Sequence, residues 1–235
     1  MQKLIIASTS SLHGSAYLEY LLPELKIFFS HIEEILFLPY ARPSGISHDS
    51  YTLKAKEAFS GIGKEVVGIH EFADPALAIK EAKAIFVGGG NTFLLVKTLY
   101  ERKLMEVLKE VVKKGTPYLG TSAGSNILGM SMKTTNDMPV VYPPSFDTLG
   151  LIPFNINPHY LDPDKNSTHQ GETRETRIRE FHVWNEIPVI GLREGSWLEV
   201  KGGTIVLKGG LSARFFRKDI EPVEIETGNH FEKLI

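Results

Sequence analysis

Cysteine is absent from this chain of 235 residues. Disulfide bonds, thiolate metal sites and cysteine nucleophiles are thereby excluded, so any covalent chemistry has to come from another side chain. A long apolar run is also missing: no stretch approaches the roughly 18 to 20 residues that a membrane-spanning helix needs. Residues 1–8, Met-Gln-Lys-Leu-Ile-Ile-Ala-Ser, are too few for the apolar part of a signal peptide and read as a first buried strand. There is no dense Lys/Arg block, and the formal net charge is −2, which argues against a nucleic-acid surface. These absences together lead us to expect a cytoplasmic protein with neither membrane nor nucleic-acid partners. With 42% hydrophobic and 23% charged residues the composition is ordinary for a globular chain, and residues 1–235 are read as a single domain.

Short apolar runs alternate with amphipathic ones through the first half. Residues 4–7, 35–39, 66–69 and 84–87 have the length and character of strands. Residues 16–29, 51–59, 75–82 and 92–99 have helical spacing. Such alternation implies right-handed crossovers and a parallel sheet covered on both faces, with any site at the carboxyl ends of the strands. Those ends are small and polar here: Ser8-Thr9-Ser10, Pro39-Tyr40-Ala41, Gly88-Gly89-Gly90-Asn91 and Gly120-Thr121-Ser122. Residues 131–170, rich in Pro, Asn and Asp, read as long ordered loops around a site. Beyond them, residues 188–192, 197–200, 204–207 and 213–216 are short and close enough to form antiparallel hairpins.

One segment points to chemistry. In Gly120-Thr121-Ser122-Ala123-Gly124 a serine lies between two glycines, after a short extended run and before a helix-like stretch. At a strand-to-helix turn of this kind the backbone is crowded, so the positions two residues to either side have to be small. The turn lifts the hydroxyl above the sheet and brings the Ala123 amide to any carbonyl that Ser122 attacks. The preceding helix, residues 104–113, ends at Gly115 before Pro117 opens the strand, which supports the order helix, strand, serine, helix. The structural alternative is a plain tight turn.

A serine nucleophile needs a base and a group that orients the base. Of eight histidines, His159 is favoured because Asn155-Ile156-Asn157-Pro158-His159 follows an apolar run and proline restrains the backbone just before the imidazole. His13, His31, His48, His70 and His230 lack that framing, while His169 and His182 remain as neighbours of a site. For the orienting acid, Glu194 follows the strand-like run 189–192, and Asp162 is the rival three residues from His159. The amides of Gly88-Gly89-Gly90 lack the spacing of nucleotide loops and are read as a second oxyanion donor. No His-Glu-x-x-His occurs, and no metal is expected. Arg174, Arg177 and Arg179 alternate with Glu172, Glu175 and Glu180, the pattern of a solvated, salt-bridged helix.

With Ser122, His159 and Glu194 in place, the chain resembles the peptidase E family of serine peptidases, which also includes cyanophycinase. The likeness rests on Val87-Gly88-Gly89-Gly90-Asn91-Thr92-Phe93, Gly120-Thr121-Ser122-Ala123-Gly124, Thr134-Thr135-Asn136-Asp137-Met138-Pro139, Ile156-Asn157-Pro158-His159 and Gly171-Glu172-Thr173-Arg174. It implies a three-layer α/β fold like that of class I glutamine amidotransferases (flavodoxin-like), with a mostly parallel sheet flanked by helices and short antiparallel strands in the C-terminal part. It also implies cofactor-free cleavage of dipeptides that begin with L-aspartate, by Ser122 as nucleophile, His159 as base and then acid, and Glu194 as its orienting group. Gly90 and Ala123 would then hold the oxyanion. Arg174 is the candidate for the aspartyl carboxylate, Asp137 for the free amino group or as a substitute triad acid, and Asn91 for a further substrate contact. Two positions depart from the family pattern. Thr121 stands where relatives often carry Trp, and Arg193 where Pro is expected. Both are expected to alter the rim of the pocket, and Arg193 either favours the charged form of Glu194 or draws it away from His159. Competing readings are an α/β-hydrolase-type esterase using His182, a cyanophycinase acting on a polymer, and a non-catalytic flavodoxin-like binding module. Oligomeric state is open between monomer and homodimer.

Overall fold

A computed structural model describes residues 1–163, 168 and 171–231. Strand β1 (Lys3–Ala7) lies near the middle of a seven-stranded sheet with order β3-β2-β4-β5-β1-β8-β9. Its four apolar residues face both layers: Leu4 and Ile6 enter one core cluster, Ile5 and Ala7 the other. That division follows from the two-residue period of a strand, and a strand buried on both faces reads as a continuous apolar run.

The parallel part of the sheet is made by β1, β2 (Glu34–Leu38), β3 (Glu65–Gly68), β4 (Ile85–Val87) and β5 (Tyr118–Thr121). Helices α1 (Leu22–Phe28) and α2 (His48–Ser60) cover one face through Leu25, Phe29, Tyr51, Ala55 and Phe59. On the other face lie α3 (Pro75–Glu81), α4 (Thr92–Glu101) and α5 (Met105–Lys114), with Ile79, Leu95, Val96, Leu99, Leu108 and Val112 turned inward. Each large side chain buried this fully contributes about 1.5–3 kcal/mol. Local signals mark the ends: Ser47 and Asp74 cap α2 and α3, and Gly115, at φ 112°, closes α5. The amphipathic run 16–29 is helical only from Leu22, after a 3-10 turn at Glu19–Leu21. Pro23 explains the difference, since it is tolerated in a first helical turn but not in an interior.

The C-terminal strands form two sheets rather than a series of consecutive hairpins. Strands β8 (Ser196–Lys201) and β9 (Thr204–Gly209) are a hairpin, and β8 pairs antiparallel with β1 to extend the main sheet. Strand β7 (Val189–Leu192) pairs instead with β6 (Asn155–Pro158) and β10 (Ala213–Arg217) in a second sheet, of order β11-β10-β7-β6. The chain therefore changes sheets between Leu192 and Ser196, the segment that carries Glu194. Two of these strands have weak sequence signals. Asn155 and Asn157 are buried polar residues, and β11 (Ile220–Ile225) is a largely exposed strand at the sheet edge containing Pro222. Helix α7 (Arg174–Trp184) packs Ile178 with Val189 and Phe216 of the second sheet. Among the described residues no helix is long and apolar enough to cross a membrane.

Candidate active site

Ser122 occupies the turn between β5 and the short helix α6 (Ala123–Asn126) with φ 51° and ψ −108°. A non-glycine residue holds that backbone only when its surroundings fix it, and two contacts do so. The Ser122 amide donates to the Ala7 carbonyl at 3.1 Å, and the Tyr118 hydroxyl donates to the Gly124 carbonyl at 2.7 Å. Both flanking glycines are sterically required. A Cβ on Gly120 would lie 2.5 Å from the Gly124 carbonyl oxygen, and one on Gly124 would lie 2.1 Å from that of Val87.

The serine hydroxyl is 2.8 Å from His159 Nε2, and His159 Nδ1 is 2.5 Å from Glu194 Oε1. With Glu194 ionised, Nδ1 carries the proton and donates to the carboxylate, so Nε2 is left as an acceptor facing the Ser122 hydroxyl. The register of the second sheet explains how residues so distant in sequence meet. Pro158 pairs with Leu192 at the ends of the parallel strands β6 and β7, so the next residues of both strands emerge side by side. Asn126 of α6 donates to the Ile156 carbonyl at 2.8 Å, which ties the serine turn to the strand that delivers His159. Asn136 does the same one loop away, donating to the Pro158 carbonyl at 2.6 Å.

Gly89 packs against the serine, with its would-be Cβ 3.1 Å from Ser122 Cβ. The buried Tyr51 hydroxyl donates to the Gly89 carbonyl at 3.1 Å. Because a trans peptide sets C=O and N–H on opposite sides, the Gly90 amide is turned away from Tyr51. Gly90 itself has φ 145° and would place a Cβ 2.2 Å from the Ala41 carbonyl oxygen, so only glycine fits. Among the described residues neither the Gly90 amide nor the Ala123 amide donates to a backbone carbonyl. Two free donors beside the serine are what a developing oxyanion requires.

Asn91 caps α4, accepting from the Leu94 amide at 3.0 Å and donating to the Met138 carbonyl at 2.8 Å. Its side chain thus holds the loop beside the site. Asp137 accepts through Oδ2 from the Thr92 amide, the Thr92 hydroxyl and the Thr135 hydroxyl at 2.7, 2.6 and 2.9 Å. It is therefore seated at the positive end of α4, and the place at His159 Nδ1 belongs to Glu194. Arg174, half-buried at the start of α7, has its pKa lowered by burial and by Arg177, while Asp137 opposes that shift. The two groups named for the substrate's charges thus lie within electrostatic reach of each other. Arg177 and Arg179 are salt-bridged to Glu172 and to Glu175 and Glu221, as the charge pattern implied.

Asp162 is held by Arg193 in two parallel hydrogen bonds of 2.7 Å each, so it is engaged away from His159. Thr121 is fully buried at the end of β5 and contributes nothing to a pocket rim, against expectation. His182 is buried in α7 with Nε2 3.0 Å from the Ile187 carbonyl, and His169 lies outside the described residues. Tyr20, whose hydroxyl donates to the Thr9 carbonyl at 2.7 Å, was not foreseen near the site. Its pKa is raised by burial and by the charge of Glu194. Among the described residues no group of three or more His, Asp or Glu is disposed to hold a metal ion.

The model for peptidase family S51 matches residues 4–208. A protein named Peptidase E from Streptomyces coelicolor is 49% identical over 99% of this chain and 94% of its own length. A Drosophila melanogaster protein named Probable alpha-aspartyl dipeptidase is 47% identical over 93% and 91%. Among solved structures, that of a putative peptidase E protein from Listeria monocytogenes aligns with a TM-score of 0.68 over 90% of this chain and all of the other, at 21% identity. A peptidase from an acI-B1 actinobacterium gives the same TM-score at 18% identity, over 98% of this chain and 96% of that one. At such identity these two structures speak for the fold alone. The match along most of the chain and the identities of the full-length relatives establish more: the chain belongs to peptidase family S51 and is a serine-type peptidase.

Proposed function

We propose that this peptidase hydrolyses dipeptides with an N-terminal L-aspartyl residue through an acyl-enzyme on Ser122. The observation that carries the mechanism is the hydrogen-bonded series Ser122, His159, Glu194 at the serine turn. In the first half-reaction Ser122 Oγ attacks the scissile carbonyl carbon while His159 Nε2 takes the hydroxyl proton. The resulting oxyanion is held by the Gly90 and Ala123 amides, and the imidazolium is stabilised by Glu194. His159 then gives its proton to the leaving amine nitrogen, and the C–N bond breaks to leave an aspartyl ester on Ser122. In the second half-reaction His159 deprotonates a water, whose oxygen attacks the ester carbonyl. Collapse releases aspartate and returns the proton to Ser122 Oγ.

Specificity for aspartate requires a cation for its side chain and an acceptor for its free ammonium group. Arg174 fits the first because guanidinium holds a carboxylate with two parallel bonds. Asp137 fits the second through Oδ1, since Oδ2 is occupied by Thr92 and Thr135. Their electrostatic coupling supports one zwitterion-binding space, and the name carried by the Drosophila relative supports the same substrate class. The reading takes small peptides as substrates, uses no cofactor and places the protein in the cytoplasm. The test is turnover of Asp-Leu and Asn-Leu by wild type, Ser122→Ala and Arg174→Ala. Loss of all turnover in Ser122→Ala and loss of the preference for Asp in Arg174→Ala are expected. A preference that survives in Arg174→Ala would remove the arginine from this role.

A further inference from the structure

Two consecutive residues at the end of β1 bond to the backbone of Ser122, of His159 and of Leu192, the last residue of the strand that precedes Glu194. The Ala7 carbonyl accepts from the Ser122 amide at 3.1 Å and from the Ser125 hydroxyl at 2.7 Å. The Ser8 hydroxyl accepts from the His159 amide at 2.9 Å and donates to the Leu192 carbonyl at 2.6 Å, two residues before Glu194. We propose that Ser8 is a positioning residue for hydrolysis, a buried hydroxyl that sets base and acid in register with the nucleophile. This rests on the reading of Ser122, His159 and Glu194 as the catalytic residues.

Strand β1 is held by backbone pairing to β5 on one side and β8 on the other, and the Ser8 amide donates to the Ser196 carbonyl at 3.2 Å. The side chain is therefore not needed to place β1, and both of its hydrogen bonds go to the segments that carry His159 and Glu194. Ser8 is fully buried, so neither bond is exchanged with bulk water.

His159 needs such support. Its φ of 54° is a left-handed conformation that a non-glycine residue adopts only when the surroundings over-determine it. The peptide groups on both sides of its Cα are fixed. The His159 amide is on Ser8 Oγ, and the Tyr160 amide donates to the Leu192 carbonyl at 3.1 Å, the same oxygen that accepts from Ser8. A serine hydroxyl can donate once while accepting, which is what this node requires. Alanine at position 8 would leave the part-buried His159 amide without its partner and remove one of the two hydrogen bonds by which the base loop is tied to the Leu192 carbonyl node, leaving only that of the Tyr160 amide. The imidazole would then lose its alignment between Ser122 and Glu194 without any change at the groups proposed to bind substrate.

The test is a double-mutant cycle with steady-state kinetics on Asp-Leu, using Ser8→Ala, Glu194→Gln and the double variant, with Ser122→Ala as reference. Ser8→Ala is expected to lower kcat about a hundredfold, the scale of an imperfectly placed catalytic group, with KM held within about twofold. In the Glu194→Gln background the same change is expected to cost no more than about twofold, because both substitutions act through the orientation of one imidazole. Effects that multiply, a loss confined to KM, or no loss would overturn the proposal. Should Ser8→Ala not fold, Ser8→Cys keeps most of the volume while weakening both hydrogen bonds, and the same kcat split and coupling are required of it. Turnover retained by Ser122→Ala would instead remove the catalytic reading on which Ser8's role depends.

Discussion

Arg193 and Glu194 are chain neighbours whose side chains serve opposite partners. Glu194 reaches His159 Nδ1, while Arg193 turns back to Asp162, Glu224 and the Ser212 carbonyl and lies 5.6 Å from the centre of the Tyr160 ring. Arg193 therefore holds the turn after β7 from behind, leaving Glu194 on the other side for the imidazole.

Replacing Arg193 by Ala is expected to affect both stability and rate. It leaves Asp162 and Glu224 without their shared cation, and both are partly solvated, which moderates the cost to about 1–2 kcal/mol. For a chain of this size that corresponds to a fall in Tm of roughly 2–8 °C. A drop in kcat larger than the drop in 1/KM is expected with it, because the turn that presents Glu194 is loosened. Thermal melting and steady-state kinetics check the two parts.

The same cluster sets an acid dependence. Hydrogen bonds from Arg193 hold the carboxyls of Asp162 and Glu224 below the usual carboxylate range, against the opposing effect of burial. A depressed pKa in the folded state contributes stability that is present above the unfolded value, near pH 4, and is lost as pH falls through the folded one. Urea midpoints are therefore expected to fall from about pH 4 downward. The Asp162→Asn, Glu224→Gln double variant should lose less over that interval, and an acid limb as steep as wild type would refute the assignment.

Glycine substitutions separate folding from oxyanion binding. Gly124→Ala drives a Cβ into the Val87 carbonyl, and overpacking of this kind costs about 1–3 kcal/mol, read as a lower Tm. Gly90→Ala meets the Ala41 carbonyl at a φ that disfavours any L side chain, so the peptide has to move. Its expected signature is a kcat reduced about a hundredfold, the scale of one lost oxyanion donor. A Gly90→Ala enzyme with undiminished kcat would exclude that amide from the reaction.

Asp137 combines a scaffold role with a proposed substrate contact, and two variants tell them apart. Asp137→Ala removes the acceptor at the start of α4 and is expected to cost about 1–2 kcal/mol. Asp137→Asn retains an acceptor oxygen for Thr92 while removing the charge. It should therefore melt close to wild type yet show a raised KM for Asp-Leu. An unchanged KM in Asp137→Asn would confine the residue to capping.

The serine turn was legible because its requirement is local. Gly120 and Gly124 are demanded by backbone atoms at 2.5 and 2.1 Å, and small residues at those positions mark the constraint in the chain itself. The parallel strands β1 to β5 and helix α5 were legible for a similar reason, since burial on both faces or on one stripe leaves a period in the residues. Strand β6 was not, because Asn155 and Asn157 look like loop residues until Ser131, which bonds both ends of the Asn155 amide, and Thr134 and Asn136, which accept from Asn157 Nδ2, are seen beside them. Ser8 was visible only as one of several small polar residues at a strand end.

By itself the sequence determined the serine turn, its glycine setting, the alternation that makes a parallel sheet, and the exclusion of thiol chemistry by the lack of cysteine. Only the tertiary structure decided that β7 leaves β8 to pair with β6 and β10, that Arg193 faces Asp162, that Thr121 is buried, and that Ser8 joins His159 to the end of β7. The first set depends on sterics and periodicity among near neighbours. The second depends on which distant surfaces pack together: His159 meets Glu194 across 35 positions, and Ser8 meets His159 across 151, contacts that no local pattern records.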